Sequence, residues 1–67
     1  MISTSYDPEA DAMYVRLAPK GTAIAETREV RPGVMLDLDA EGRLVGIEIL
    51  GAKARSAEAP QPAKTAA

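Results

Sequence analysis

The 67-residue chain contains no cysteine, no histidine, no tryptophan and no phenylalanine. Without cysteine there is neither a disulfide nor a thiolate metal site. Without histidine the commonest metal ligand is missing, and so is the side chain best suited to general base catalysis near neutral pH. Tyr6 and Tyr14 are the only aromatic residues, which excludes a core built on large rings. No apolar run approaches the roughly 20 residues that cross a bilayer, so no membrane span is expected. The opening stretch MISTSYDPEADAM lacks the basic start and apolar run of a signal peptide, and the expected location is the cytoplasm. A chain of this size buries only about 60% of the surface it exposes when unfolded. Small domains offset that shortfall with disulfides, metals or self-association. The composition leaves a homo-oligomer as the expected route.

Concentrated positive charge is also lacking. Residues 1–50 hold five basic and nine acidic side chains, a balance of −4, whereas residues 51–67 set Lys53, Arg55 and Lys64 against Glu58, a balance of +2. An acidic domain repels a phosphate backbone, so direct nucleic-acid binding by it is disfavoured. The same charge suits a small basic protein partner.

What the chain does have is alternation. Residues 32–50, PGVMLDLDAEGRLVGIEIL, read as a β-hairpin with Asp39-Ala40-Glu41-Gly42 as its loop. Pairing Leu38 with Arg43 sets Leu36 against Val45 and Val34 against Ile47. One face then collects Val34, Leu36, Val45, Ile47 and Ile49, and the other Gly33, Met35, Asp37, Leu44, Gly46 and Glu48. Upstream, Ile2 to Tyr6 is β-prone, Asp7-Pro8-Glu9-Ala10 reads as a turn, and Met13, Val15 and Leu17 alternate with Ala12, Tyr14 and Arg16. Tyr6 is expected across from Asp11. Ala23 to Val30 fits a charged, exposed edge strand better than a helix. The expectation is a mainly β protein: one small antiparallel meander of about five strands. The domain spans residues 1–50, and 51–67 form a flexible Ala/Pro/Lys-rich tail with room for a short helical turn before Pro60.

Chemistry is sparse. Counted from Asp37, acids at Asp37, Asp39, Glu41 and Glu48 with Gly42 reproduce the spacing of an EF-hand calcium loop. That loop needs flanking helices, and strands flank this one, so Asp37, Asp39 and Glu41 are weak metal candidates and the plainer reading is a solvated turn. Asp7, Glu9 and Asp11 form a second acidic group, again explained by turn chemistry. Ser3, Ser5 and Ser56 have no histidine to activate them, and no glycine-rich phosphate loop opens a helix. No catalytic residue and no cofactor is expected. Tyr14, Arg16, Met35 and Leu44, on the face opposite the apolar one, form the candidate interaction patch, since Tyr and Arg are favoured at interfaces.

YDPEADAMYVRL at 6–17 together with PGVMLDLDAEGRLVGIEIL at 32–50 resembles a small bacterial family known only as a domain of unknown function. The resemblance implies a compact β-rich protein with no established activity, and relatives found beside small toxin-like proteins imply an antitoxin-like role. The expected function is a non-enzymatic protein–protein interaction module. The competing expectation is a small ligand- or divalent-cation-binding β domain using the acidic turns.

Overall fold

The computed structural model describes residues 2–57. Its strands are β1 (Ser3–Asp7), β2 (Ala12–Arg16), β3 (Glu26–Arg31), β4 (Val34–Leu38) and β5 (Leu44–Leu50). All pair antiparallel in one sheet, in the order β1-β2-β5-β4-β3. The expected single antiparallel sheet of five strands is there. Its order is not that of a meander. In a meander β3 would lie beside β2; instead β5 takes that central place and β3 is displaced to the edge. Burial explains the exchange. β3 carries Glu26, Arg28, Glu29 and Arg31 and is exposed along its length, whereas β5 is buried or half-buried from Val45 to Ile49. A central strand has neighbours on both sides and suits the apolar segment.

The connection from β2 to β3, residues 17–25, therefore runs across one end of the sheet. It is fastened there by backbone bonds. The N–H groups of Leu17 and Ala18 both donate to the Val45 carbonyl, at 2.8 and 3.1 Å, and the Ala25 N–H donates to the Leu38 carbonyl at 2.8 Å. Between them Thr22 closes a turn by donating its hydroxyl to the Pro19 carbonyl at 2.6 Å.

Both hairpin registers differ from expectation by two residues. Tyr6 lies across from Met13 and Thr4 from Val15; Val34 lies across from Ile49 and Leu36 from Ile47. A two-residue slip keeps side chains on their faces, so the predicted faces survive except beside the bulge described next, at Leu44 and Val45. In the first hairpin the slip arises because Asp11 belongs to the loop, in the left-handed region at φ 53°. In the second, the register shifts between Asp37 and Leu38 so that Leu38 faces Leu44. Val45 is the extra residue of this β-bulge, which bends the strand, and its carbonyl accepts from the connector that follows β2. A second irregularity sits at Val30, between Glu29 and Arg31. The β4–β5 turn is held by Asp39, whose Oδ1 accepts from the N–H groups of Glu41 and Arg43 at 2.9 and 2.8 Å. Gly42 supplies the positive φ, 80°, that the turn demands.

Alternation places Met13, Val15, Val34, Leu36, Ile47 and Ile49 on one face, flanked by Thr4 and Tyr6. These six are only half-buried. Among the described residues, the fully buried apolar side chains are Leu38 at 6% exposure and Val45 at 1%. No helix is present among the described residues, and none is long and apolar enough to cross a membrane.

At the start of the expected tail, residues 51–57 form turns, one of them closed by the Arg55 N–H donating to the Gly51 carbonyl at 3.0 Å. The remainder of the expected flexible tail, residues 58–67, lies outside the described residues.

Because Val45 is the most buried apolar side chain, Val45→Ala should lower unfolding stability by about 2 kcal/mol, read as a fall in denaturant midpoint at constant slope. An unchanged midpoint would contradict its assignment to the core.

Candidate functional site

Three of the four residues expected to form an interaction patch come together. Tyr14 lies across from Glu48, which lies across from Met35, and Arg16 lies beside Gly46 in the next row. Leu44 does not join them. The bulge at Val45 reverses its place in the alternation and sets it opposite Leu38. There it lines a cleft of about 380 Å³ with Leu17, Ala18, Pro19, Thr22, Asp39 and Arg43.

The organising group of this face is Asp37, buried to 6% exposure. The Tyr14 hydroxyl donates to its Oδ2 at 3.0 Å and the Thr27 hydroxyl to its Oδ1 at 2.8 Å. Tyr14 is on β2, Asp37 on β4 and Thr27 on β3, so the network reaches over β5. It crosses β5 at Gly46, where an added Cβ would collide with the Tyr14 ring and hydroxyl. A residue with any side chain at 46 would block the contact. Burial, then the hydrogen bond to Asp37, raises the Tyr14 pKa above its ordinary value. The Arg16 guanidinium lies 5.4 Å from the Tyr14 ring centroid, within cation–π range.

The acidic candidates separate. Asp37 is enclosed by two hydroxyl donors, while Asp39 is turned to its own loop and to Arg43 Nε at 2.9 Å. The Arg43 backbone N–H is the main cause holding the Asp39 pKa below the usual carboxylate range. Glu41 reaches Arg43 Nη2 at 3.3 Å. Glu48 faces Met35 in mid-sheet, far along the strands from the turn. The EF-hand spacing therefore does not become a coordination shell, and no group of three or more His, Cys, Asp or Glu side chains is placed to hold a metal ion among the described residues.

The Asp7-Glu9-Asp11 group likewise resolves into separate tasks. Asp7 Oδ1 accepts from the N–H groups of Glu9 and Ala10 at 3.0 and 3.4 Å, shaping the β1–β2 turn. Asp11 Oδ1 accepts from the Tyr6 hydroxyl at 2.6 Å and the Lys53 N–H at 2.9 Å, and Oδ2 from the Ala54 N–H at 3.3 Å. Its own carbonyl accepts from the Ala52 N–H at 2.9 Å. Asp11 is thus the anchor of the C-terminal turns. Arg55 completes the attachment: Nε donates to the Leu50 carbonyl at 2.9 Å and Nη2 to the Pro32 carbonyl at 2.8 Å. Neither tie was visible in the sequence, where Lys53 and Arg55 counted only as positive charges of the expected tail. The turns border the apolar face and enclose a cleft of about 650 Å³ with Tyr6, Pro8 and Met13.

An open antiparallel sheet, apolar on one face and organised by an enclosed carboxylate on the other, makes the described residues a small all-β domain in which Asp7, Asp11 and Asp39 hold the turns. The chain belongs to the family of proteins of unknown function DUF2283, which it matches over residues 4–53. That span carries the whole sheet from Thr4 onward and ends at Lys53, whose N–H reaches Asp11. No curated protein and no solved structure matches the chain.

Gly46→Ala should destabilise the fold by about 1–3 kcal/mol through overpacking, and the penalty should shrink when Tyr14→Ala is already in place. Equal penalties in the two backgrounds would show that Tyr14 does not depend on the missing side chain.

The Asp11 pKa is lowered, first by the Tyr6 hydroxyl and next by the Lys53 N–H. A depressed carboxylate stabilises above its unfolded pKa and loses that contribution as pH falls through the folded one. The amide resonances of Lys53 and Ala54 should therefore hold steady at neutral pH and move with the Tyr6 ring only below the ordinary carboxylate value of 3.8. Amides that ignore the protonation of Asp11 would break this link.

Proposed function

We propose that the domain is a non-enzymatic protein–protein interaction module that self-associates through its apolar sheet face. The observation that carries this reading is the row of Met13, Val15, Val34, Leu36, Ile47 and Ile49, half-buried on one side of a sheet with no helix among the described residues to cover it. A sheet with one apolar face is stable when that face packs against another layer. Two sheets pack face to face about 10 Å apart, and each aliphatic side chain gains roughly 1.5–3 kcal/mol on full burial. For a small domain with only Leu38 and Val45 fully buried among its described apolar residues, that gain is a large fraction of total stability. The opposite face supports a binding role rather than catalysis, because its enclosed carboxylate, Asp37, is committed to Tyr14 and Thr27.

The heterotypic version of the same reading is an antitoxin-like module that binds a small basic protein, favoured by the −4 balance of residues 1–50. Sedimentation separates the two. Self-association gives the purified protein a mass that is a multiple of its 7.0 kDa chain, and Ile47→Lys, at the centre of the apolar face, reduces it. A mass unaffected by Ile47→Lys, with the thermal melt also unchanged, removes the face from the interface. A basic partner captured at low salt and released at high salt would establish the heterotypic version.

A further inference from the structure

The two outer strands, β1 and β3, are exposed along their whole length. Among the described residues each has a strand on one side only, so its outer edge offers backbone N–H and C=O groups, the usual template for joining another strand. Their protection differs. β3 carries Glu26, Arg28, Glu29 and Arg31 and is broken by the irregularity at Val30. Charge and a bulge of this kind keep strands from adding to an edge. β1 reads STSYD and pairs with β2 over five consecutive residues without irregularity. It has no lysine, no proline and one charge, Asp7, at its far end.

A second observation concerns the near end of β1. A cleft of about 510 Å³ lies there, lined by Ser3, Ser5, Arg16, Pro19 and Lys20. Arg16 faces Ser3 across the β1–β2 ladder and is steadied by the Tyr14 ring. Among the described residues the ion pairs belong to Arg28 and Arg43, and neither Arg16 nor Lys20 has a carboxylate partner. Two cations without an ion-pair partner among the described residues, at one corner of residues 1–50 whose balance is −4, form a local reversal of sign.

We propose that β1 pairs antiparallel with β1 of a second copy around a two-fold axis at Ser5, joining two sheets edge to edge. In this register Ser3 faces Asp7 of the second copy, and Thr4 faces its Tyr6. Ser3, Ser5 and Asp7 share the face that carries Arg16. The symmetry therefore brings each Asp7 carboxylate to the cationic corner of the other copy, with only the short Ser3 side chain between. Asp7 has capacity for this role, because among the described residues only its Oδ1 is occupied, by the turn N–H groups of Glu9 and Ala10. No like charges are opposed along the junction. On the other face, Thr4 and Tyr6 carry the apolar surface across from one copy to the next, in the manner of cross-strand pairs. This edge contact is separate from face-to-face packing and stands without it.

The two-fold at Ser5 makes the test specific, since it opposes Ser5 to itself. Ser5→Lys and Ser5→Asp should each halve the sedimenting mass of the wild-type protein, and an equimolar mixture of the two should restore it. Halving is the expected result whether the wild-type assembly uses the edge alone or the edge and the face together. Far-UV circular dichroism checks that each variant retains the sheet. Ser5→Cys gives an independent readout, because the chain has no other cysteine and directly opposed residues lie within disulfide range; oxidation should yield a covalent dimer. A wild-type monomer, variants that keep the wild-type mass, or a mixture that stays dissociated would each overturn the proposal, as would a Ser5→Cys protein that remains a single chain under oxidation.

Discussion

One carboxylate holds together strands that are far apart in the chain. Asp37 on β4 accepts from Thr27 on its edge-side neighbour and from Tyr14 two strands away. A buried carboxylate deprived of a donor costs far more than the bond itself contributes, because its desolvation is no longer compensated. The arrangement therefore penalises every alternative that leaves Asp37 without both hydroxyls. It also explains a glycine at the middle of the central strand. Tyr14 reaches Asp37 only across a strand that presents no side chain there, so Gly46, Tyr14 and Asp37 make sense together and not one by one.

A second set of ties works at the opposite end of the sheet. Asp11 in the β1–β2 loop holds Lys53 and Ala54, and Arg55 holds the carbonyl of Pro32 in the β3–β4 loop. The turns after β5 therefore bridge the loops of both outer hairpins. These bonds are exposed and individually modest, but they convert acidic residues that resemble ligands into structural anchors. The same holds for Asp7 and Asp39, whose oxygens are taken up by backbone N–H groups within their own turns.

Alternation made the strands and their two faces legible, because period-two patterning reports the face of each side chain directly. It could not report the register, since a slip of two residues leaves the pattern intact; both hairpins differ from expectation by that amount. Strand order was illegible for a different reason. Local turn signals favour neighbours in sequence, whereas the pairing of β2 with β5 depends on long-range contacts such as Tyr14 with Asp37. The patch of Tyr14, Arg16 and Met35 was readable from alternation alone. Leu44 was misplaced because a bulge breaks the period without a sequence mark of its own. Asp37 looked like part of a solvated turn because the two hydroxyls that enclose it come from strands whose positions the pattern does not disclose.

The placement of β5 has a consequence for the order in which the molecule can be completed. The strand nearest the end of the sheet sequence is the one that separates β2 from β4. Before it is inserted, the chain holds two detached hairpins, β1–β2 and β3–β4, and a lone hairpin has little stability in water. A chain cut short before Leu44 would retain two inner edges, on β2 and β4, without the strand that pairs with both. Among the described strands β5 is thus the keystone, the one element that joins the first hairpin to the second.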